Sequence, residues 1–345
     1  MLAPPPLPRT LEASVRDLDS KKAEIRASAI HDLLRHARAD AAVRGRAIPL
    51  LEKLLADDAP KVRAAAAVGL ADLVASDTVP SLLRGVDDDD AYVRQMVLNA
   101  LGELGDARAL PRLRRALTDP RPEMRYQSII AFARVSDDER EIGQALIAAT
   151  NDDDDAVVHI ALRIAEERID AGKLVDPRLV TRTRALLEAD SPHVKVAAAV
   201  VLAKSGDAAG HPLLLRVVRG DKIAGQTPEK EDEQAVVELV GELGLEQARP
   251  HLERRAWGLM HFVRDTCVFH AKIALAAMGH PRAIDEIMTD LSSERPEVLG
   301  GAVVAAGRAR LEKARALIER LPSAAVDPVL VKEALSRLEK ASKKE

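Results

Sequence analysis

Two acidic runs, Asp87–Asp90 and Asp152–Asp155, have the oxygen density that a calcium ion takes. Neither has the alternating acids, central glycine and distant glutamate of a calcium loop, so helix capping and solubility are expected of them, with a negative stripe for a basic partner as their other use. Cys267 and His270 stand three residues apart, on one face of a helix, a spacing that suits a metal ion. Nothing completes their ligand set and His280 falls near the helix end, so no metal and no cofactor is expected. The stretch Trp257–His270 around them holds three of the chain's six aromatic residues. Packing of these bulky side chains is the plain expectation. Trp257, Phe262 and Arg264 are also residue types favoured at interface centres, which makes them candidates for partner binding. The segment Pro4-Pro5-Pro6-Leu7-Pro8-Arg9 has the look of a polyproline ligand, but a solvated leader over residues 1–13 is expected. No nucleophile–base pair, paired catalytic acid and base, or phosphate loop appears, so no catalytic residue is assigned.

The elements that would position these residues follow one recurring unit. Residues 87–117, DDDDAYVRQMVLNALGELGDARALPRLRRAL, read as a helix, a short break at Gly105-Asp106 and a second helix. Val93-Arg94 aligns with Val62-Arg63 before it and Met124-Arg125 after it, each 31 residues away. Val158-His159 follows 34 residues on and Val194-Lys195 another 36. Such a period marks a stacked array. Each unit carries a stripe at 4-4-3 spacing, on one helical face: Val93, Val97, Leu101 and Leu104; Val62, Ala66, Leu70 and Leu73; Met124, Ser128, Phe132 and Val135; Val194, Ala198, Leu202 and Ser205. Asp and Pro precede this helix, and Pro80, Pro111, Pro212 and Pro250 open the partner helices.

The pattern D-x-x-P-x-V-R-x-x-A-x-x-A-L-G-x-L-G-D resembles the short HEAT repeats of bacterial proteins, the kind also seen in phycobilisome lyases. The resemblance runs over residues 14–322 and is strongest at 57–86, 87–117, 118–150 and 188–218. It implies an all-α chain, an α-solenoid wound as a right-handed superhelix of about nine helix pairs. A capping helix and charged tail over residues 323–345 complete this organisation. It also implies that Arg63, Arg94 and Arg125 are structural ties between repeats. A degenerate first unit over residues 14–55 has Ile25-Arg26 at the Val-Arg position. Val263-Arg264 and Leu299 mark later units, and Glu233 replaces the arginine in the unit before them. Residues 219–233, RGDKIAGQTPEKEDE, interrupt the rhythm as a surface loop.

Nine residues past the arginine, half a turn away from the stripe, the units carry Asp72, Glu103, Arg134, Arg168, Lys204 and Glu242. The helix bearing this column lines the concave side in proteins of this resemblance. Arg134, Arg168 and Lys204 therefore form a basic centre able to receive an acidic segment or phosphate of a partner. Apolar residues off the stripe (Leu98, Tyr126, Ile129, Ile130, Ile160, Ile164, Val196, Val200) should lie mainly between repeats.

Composition fits a helical array rather than a catalytic or membrane protein. Apolar residues are 47% and aromatics only 2% of 345 residues, so Ala, Leu, Val and Ile must build the core. With 51 basic and 55 acidic residues the net charge is −4, which gives no general drive towards nucleic acid. The single cysteine excludes an internal disulfide, and neither a signal peptide nor a bilayer-spanning run is present, so a cytoplasmic place is expected. Alanine and arginine richness suggests a bacterial source. The expected function is a non-catalytic protein-interaction scaffold or regulatory adaptor, not an enzyme. Its partners would be one or more proteins, for which the resemblance suggests a small GTPase or its regulator. A phycobilin-lyase-like enzyme and nucleic-acid binding through the basic column are the alternatives. Enzymes of this architecture that hold two irons use His-Glu dyads, and none occurs in this chain.

Overall fold

The computed structural model describes residues 9–258, 266–322 and 325–342, with side chains to residue 339. The chain divides into two compact units, Met1–Leu179 and Val180–Glu345. In the first unit, α1 (Leu11–Asp17) leads. It is followed by α2 (Ala23–Ala39) with α3 (Ala41–Leu54), α4 (Pro60–Asp72) with α5 (Val79–Gly85), α6 (Ala91–Leu104) with α7 (Leu110–Ala116), α8 (Pro122–Val135) with α9 (Glu139–Ala149), and α10 (Asp155–Asp170). Helix α11 (Pro177–Leu186) runs across the boundary. The second unit pairs α12 (Pro192–Lys204) with α13 (His211–Arg219), α14 (Lys230–Glu242) with α15 (Arg249–Trp257), α16 (Val268–Ala277) with α17 (Pro281–Asp290) and α18 (Pro296–Arg308) with α19 (Arg315–Glu319). Helix α20 (Pro328–Ser342) follows. No strand occurs among the described residues, and no described helix is long and apolar enough to cross a membrane.

Local chemistry sets the helix ends. Asp90 accepts from the amides of Tyr92 and Val93, and Asp154 from those of Ala156 and Val157, which fills orphan donors at the starts of α6 and α10. Eleven residues after the arginine position the backbone turns left-handed, at Gly105 (φ 65°), Gly206 (81°), Gly244 (62°) and Gly279 (76°). Val74 (φ 51°) and Arg310 (φ 53°) hold the same position without being glycine.

Within each unit the Val-Arg helices stack in sequence, α2 to α10 and α12 to α20. Nearly all of the stripe is buried. Leu104 is half-buried and Ser205 is exposed, both at the last, fraying position. The off-stripe apolar residues are all buried or half-buried, so they form no exposed groove. Small residues let helices approach closely. A β-carbon added to Gly102 would meet the Ala131 Cα at 2.9 Å, and one added to Gly241 would meet the Ala274 Cα at 2.4 Å. That second contact fixes the register of α16. Cys267, Ala271 and Leu275, all fully buried, take the stripe places, and Gly279 closes the helix as Gly105 closes α6. The Val-Arg position of this unit therefore falls at Cys267-Val268. Val263-Arg264, which mimics it in the sequence, lies outside the described residues.

Candidate functional site

The arginines of the first unit converge on the acidic runs. Arg63 donates through Nε and Nη2 to both carboxylate oxygens of Asp88, at 2.7 Å each, and through Nη1 to the Asp57 carbonyl at 2.8 Å. Arg125 repeats this with Asp152 (2.7 and 2.6 Å) and the Asp119 carbonyl (2.9 Å). Arg26, at the same position in the first pair, does so with Asp57 (2.8 and 2.6 Å) and the Ser20 carbonyl (2.8 Å). Each two-pronged bond spans consecutive repeats. Arg94 departs from the series. Asp119, the acid 25 residues on that corresponds to Asp88 for Arg63, is gripped by Arg121 at 2.8 and 2.9 Å. Arg94 keeps the Asp88 and Asp89 carbonyls (2.8 and 3.0 Å) and reaches Glu123 at 3.3 Å, and its buried Nε finds no acceptor. The Arg63 hydrogen bonds hold the Asp88 carboxyl below the usual aspartate range. Burial pushes Asp57 and Asp152 up, but Arg26 and Arg125, with the Ala59 and Asp154 amides, more than offset it and leave both lowered. The acidic runs are thus largely engaged in ties and caps.

The column nine residues past the arginine does not form a row of open cations. Asp72 pairs with Arg38 at 2.7 Å, and Glu103 accepts from Asn99 at 3.0 Å. Arg134, on α8, is exposed and makes no hydrogen bond or ion pair among the described residues. Arg168, on α10, is half-buried and pairs with Glu139, which also holds Lys173 at 3.0 Å. Burial lowers its pKa, and Glu139 stays half-exposed. Beside this pair α9, α10 and residues 174–179 enclose a groove of about 490 Å³, lined by Gly143, Leu146, Ala165, Leu174 and Arg140 among others. Leu174 is 98% exposed at its mouth. Lys204 ends α12 in the second unit, half-buried and with a partner of its own.

In the second unit the tie is inverted, with Glu233 in the arginine place accepting from Arg255 Nη2 at 2.6 Å. Further along α14, Glu238 Oε1 accepts from His270 Nδ1 at 2.5 Å and from Arg308 at 2.9 Å, while Glu242 lies 3.5 Å from Arg310. Burial raises the Glu238 carboxyl, but His270 and Arg308 more than compensate and lower it. The two arginine pairs skip a repeat, passing from the end of α18 (Arg308) and the turn after it (Arg310) over α16 to α14.

Trp257 is tied into its own unit. Its Nε1 donates to Glu286 at 3.0 Å, the Arg282 guanidinium lies 4.3 Å from its ring centre, and the His280 ring lies 5.0 Å away. Lys272 adds an ion pair to Glu286 at 2.7 Å, beside a recess of about 900 Å³. Phe262 and Arg264, the other residues expected in this anchor, lie outside the described residues. Cys267, His270 and His280 do not converge: Cys267 is buried in the core, His270 faces Glu238, and His280 lies against Trp257. The only close group of three potential ligands among the described residues is His193, Glu229 and Asp232, where the 219–233 segment meets α12. The sequence reading missed this group, because its members lie 36 and 39 residues apart in the chain and share no motif.

The chain matches HEAT repeats over residues 48–133 and, overlapping them, 79–167. No curated protein matches it. Among solved structures, a mutant of Kap121p is similar with a TM-score of 0.50 at 14% identity, over 96% of this chain and 41% of that one. YibA of E. coli gives 0.49 at 15% identity, over 79% of this chain and 96% of that one. The complex of CpcE and CpcF of phycocyanin lyase from Nostoc gives 0.38 at 17% identity, over 83% and 96%. Identities this low speak to fold alone. Residues 48–167 match HEAT repeats, and the helix pairs on either side are built on the same register, so the chain is an all-α repeat solenoid.

Proposed function

We propose that the chain is a non-catalytic protein-interaction scaffold and that its first unit receives an acidic segment of a partner protein. The observation that carries this is the contrast within the column. Arg134 is exposed and has no partner among the described residues, while Arg168, at the matching place on the next Val-Arg helix, is held by the half-exposed Glu139. An incoming carboxylate can replace Glu139 at little cost, because an exposed acid regains its hydration when released. The neighbouring groove with Leu174 at its mouth supplies apolar area for a side chain of the same segment. A small GTPase or its regulator is one partner of the required kind. The acid–base groups brought together, such as Glu238–His270–Arg308, are linked to one another, which supports a structural rather than a catalytic role.

The test is a pull-down from the native cytoplasm with wild-type chain, an Arg134→Glu/Arg168→Ala variant and an Arg115→Glu control on another exposed site, with helicity checked for each. A protein retained by wild type and control but lost by the double variant supports the reading. Equal retention by all three overturns it.

A further inference from the structure

The surface loop expected over 219–233 is shorter in the structure: residues 220–229 join α13 to α14 as an addition to the repeat, residues 230–233 are the first turn of α14, and the far end of the added segment comes to rest against α12. His193 lies in the first turn of α12, Glu229 immediately precedes α14, and Asp232 lies in the first turn of α14. The His193 Nε2 is 3.8 Å from Glu229 Oε1, and its Nδ1 is 3.7 Å from Asp232 Oδ2. One donor atom from each residue falls within 4.8 Å of the other two.

Three features separate this group from an ordinary acidic patch. One donor is an imidazole nitrogen. Glu229 holds the capping position of α14, yet its side chain makes no capping bond, so its carboxylate faces His193 rather than the helix. The third feature is how the added segment is held. Its first half is fixed by Arg216 donating to the Lys222 carbonyl at 2.9 Å, by the Arg219–Asp221 pair at 2.6 Å, by the paired backbones of Ile223 and Gln226, and by burial of Ile223. Beyond Gln226 the described backbone makes no hydrogen bond until the Glu229 carbonyl accepts from Glu233 inside α14. The second half thus has no backbone bond of its own before α14, and Glu229 at its end faces His193.

We infer that His193, Glu229 and Asp232 form a site for a divalent transition-metal ion of the Zn²⁺ class, which staples the end of the added segment to α12. One nitrogen and two carboxylate oxygens suit Zn²⁺, whereas Ca²⁺ and Mg²⁺ take oxygen shells of six or more. Zinc bonds near 2.0–2.2 Å place tetrahedral donors about 3.3–3.5 Å apart. Glu229 and Asp232 face opposite nitrogens of the ring, so with one nitrogen as ligand the donors, all within 4.8 Å of one another, close by up to about 1.5 Å through side-chain rotation. Glu229, 67% exposed along its side chain, has room to swing in. The two carboxylates neutralise the ion, one ring nitrogen binds it, and water takes the open position.

The test uses the full chain, stripped of metal by a chelator and titrated with Zn²⁺ alone by calorimetry at about pH 7.5. In parallel, tryptic cleavage at Lys222 and Lys230 is timed with and without Zn²⁺. Wild type is expected to bind one ion and to be cut more slowly at Lys230 when it does, while cleavage at Lys222, in the half already fixed, stays the same. His193→Ala and Asp232→Asn, both at solvent-accessible positions and checked by circular dichroism, are expected to bind more than about tenfold more weakly and to lose the protection. Mg²⁺ should give neither effect. Absence of binding up to about 1 mM Zn²⁺ overturns the site. So does equal affinity in the variants, which places the ion on other histidines, or equal protection by Mg²⁺.

Discussion

At the arginine position of the repeat, one guanidinium grips an acid of the next repeat and a carbonyl at the start of its own helix. In Arg63 and Arg125 all three donor groups are used, and the acids they hold are nearly buried. Removing Arg125 leaves Asp152 desolvated without its partner, so Arg125→Ala should cost about 2–3 kcal/mol in urea unfolding. Arg94→Ala should cost less, because Arg121 already holds Asp119. In an Arg121→Ala background the acid is released to Arg94, and the cost of Arg94→Ala should rise towards that of Arg125→Ala. An unchanged cost would show that Asp119 cannot reach Arg94. Asp57, Asp88 and Asp152 sit below the ordinary aspartate value of 3.8 when folded. The unfolded chain therefore binds more protons at acid pH. The stabilisation from these ties is full above the unfolded value and is lost as pH falls through the lowered folded ones. Unfolding midpoints should hold from neutrality to about pH 5 and drop below about pH 4, less steeply in an Arg125→Ala/Asp152→Ala double variant. Val74 lies at the left-handed position where four other repeats have glycine, with φ 51° and 64% of its surface exposed. Val74→Gly should stabilise the chain by about 1 kcal/mol, because the strain removed exceeds the packing lost. A lower melting temperature would refute this.

Helix spacing, in contrast, is set by what a residue lacks. Gly241 lets α14 lie against Ala274 of α16, where any β-carbon would overlap the backbone, while a β-carbon at Gly300 would meet nothing within 4 Å. Gly241→Ala should destabilise by about 1–3 kcal/mol, and Gly300→Ala should stabilise by about 0.5–1 kcal/mol because it restricts only the unfolded chain. Paired thermal melts decide this. Most elements were legible from the repeat, since apolar period, Asp caps, early prolines and terminal glycines are all local signals. The register of α16 was not. Val263-Arg264 looks like the motif, but the helix is placed by Gly241–Ala274 contact and by Gly279, and the residue filling the valine place is a cysteine.

Because each Val-Arg helix packs chiefly on its neighbours, cooperativity in this chain should be regional. Gly241→Ala should lower amide-exchange protection through residues 180–345 and leave residues 9–179 near wild type. An equal loss in both units would show that the chain opens as one. The same organisation bears on binding. In the second unit, Arg308 at the end of α18 and Arg310 just beyond it reach over α16 to the glutamates of α14, so part of that face is occupied by the chain's own charges. In the first unit Arg134 has no such partner among the described residues, which is why the proposed docking face lies there.

The sequence by itself determined the fold class, the repeat boundaries of the central units and the composition of the core, because these depend on spacing within a turn or two of helix. It also placed Arg63, Arg94 and Arg125 at one repeated position. Only the tertiary structure decided which acid each charge meets. That choice separates Arg94 from its neighbours, gives Arg168 to Glu139 and leaves Arg134 exposed. It also brings Glu238 to Arg308 and His193 to Asp232, pairs 70 and 39 residues apart in the chain. Charged side chains take whichever partner the stacked backbones bring within a few ångströms, and no local periodicity encodes that distance.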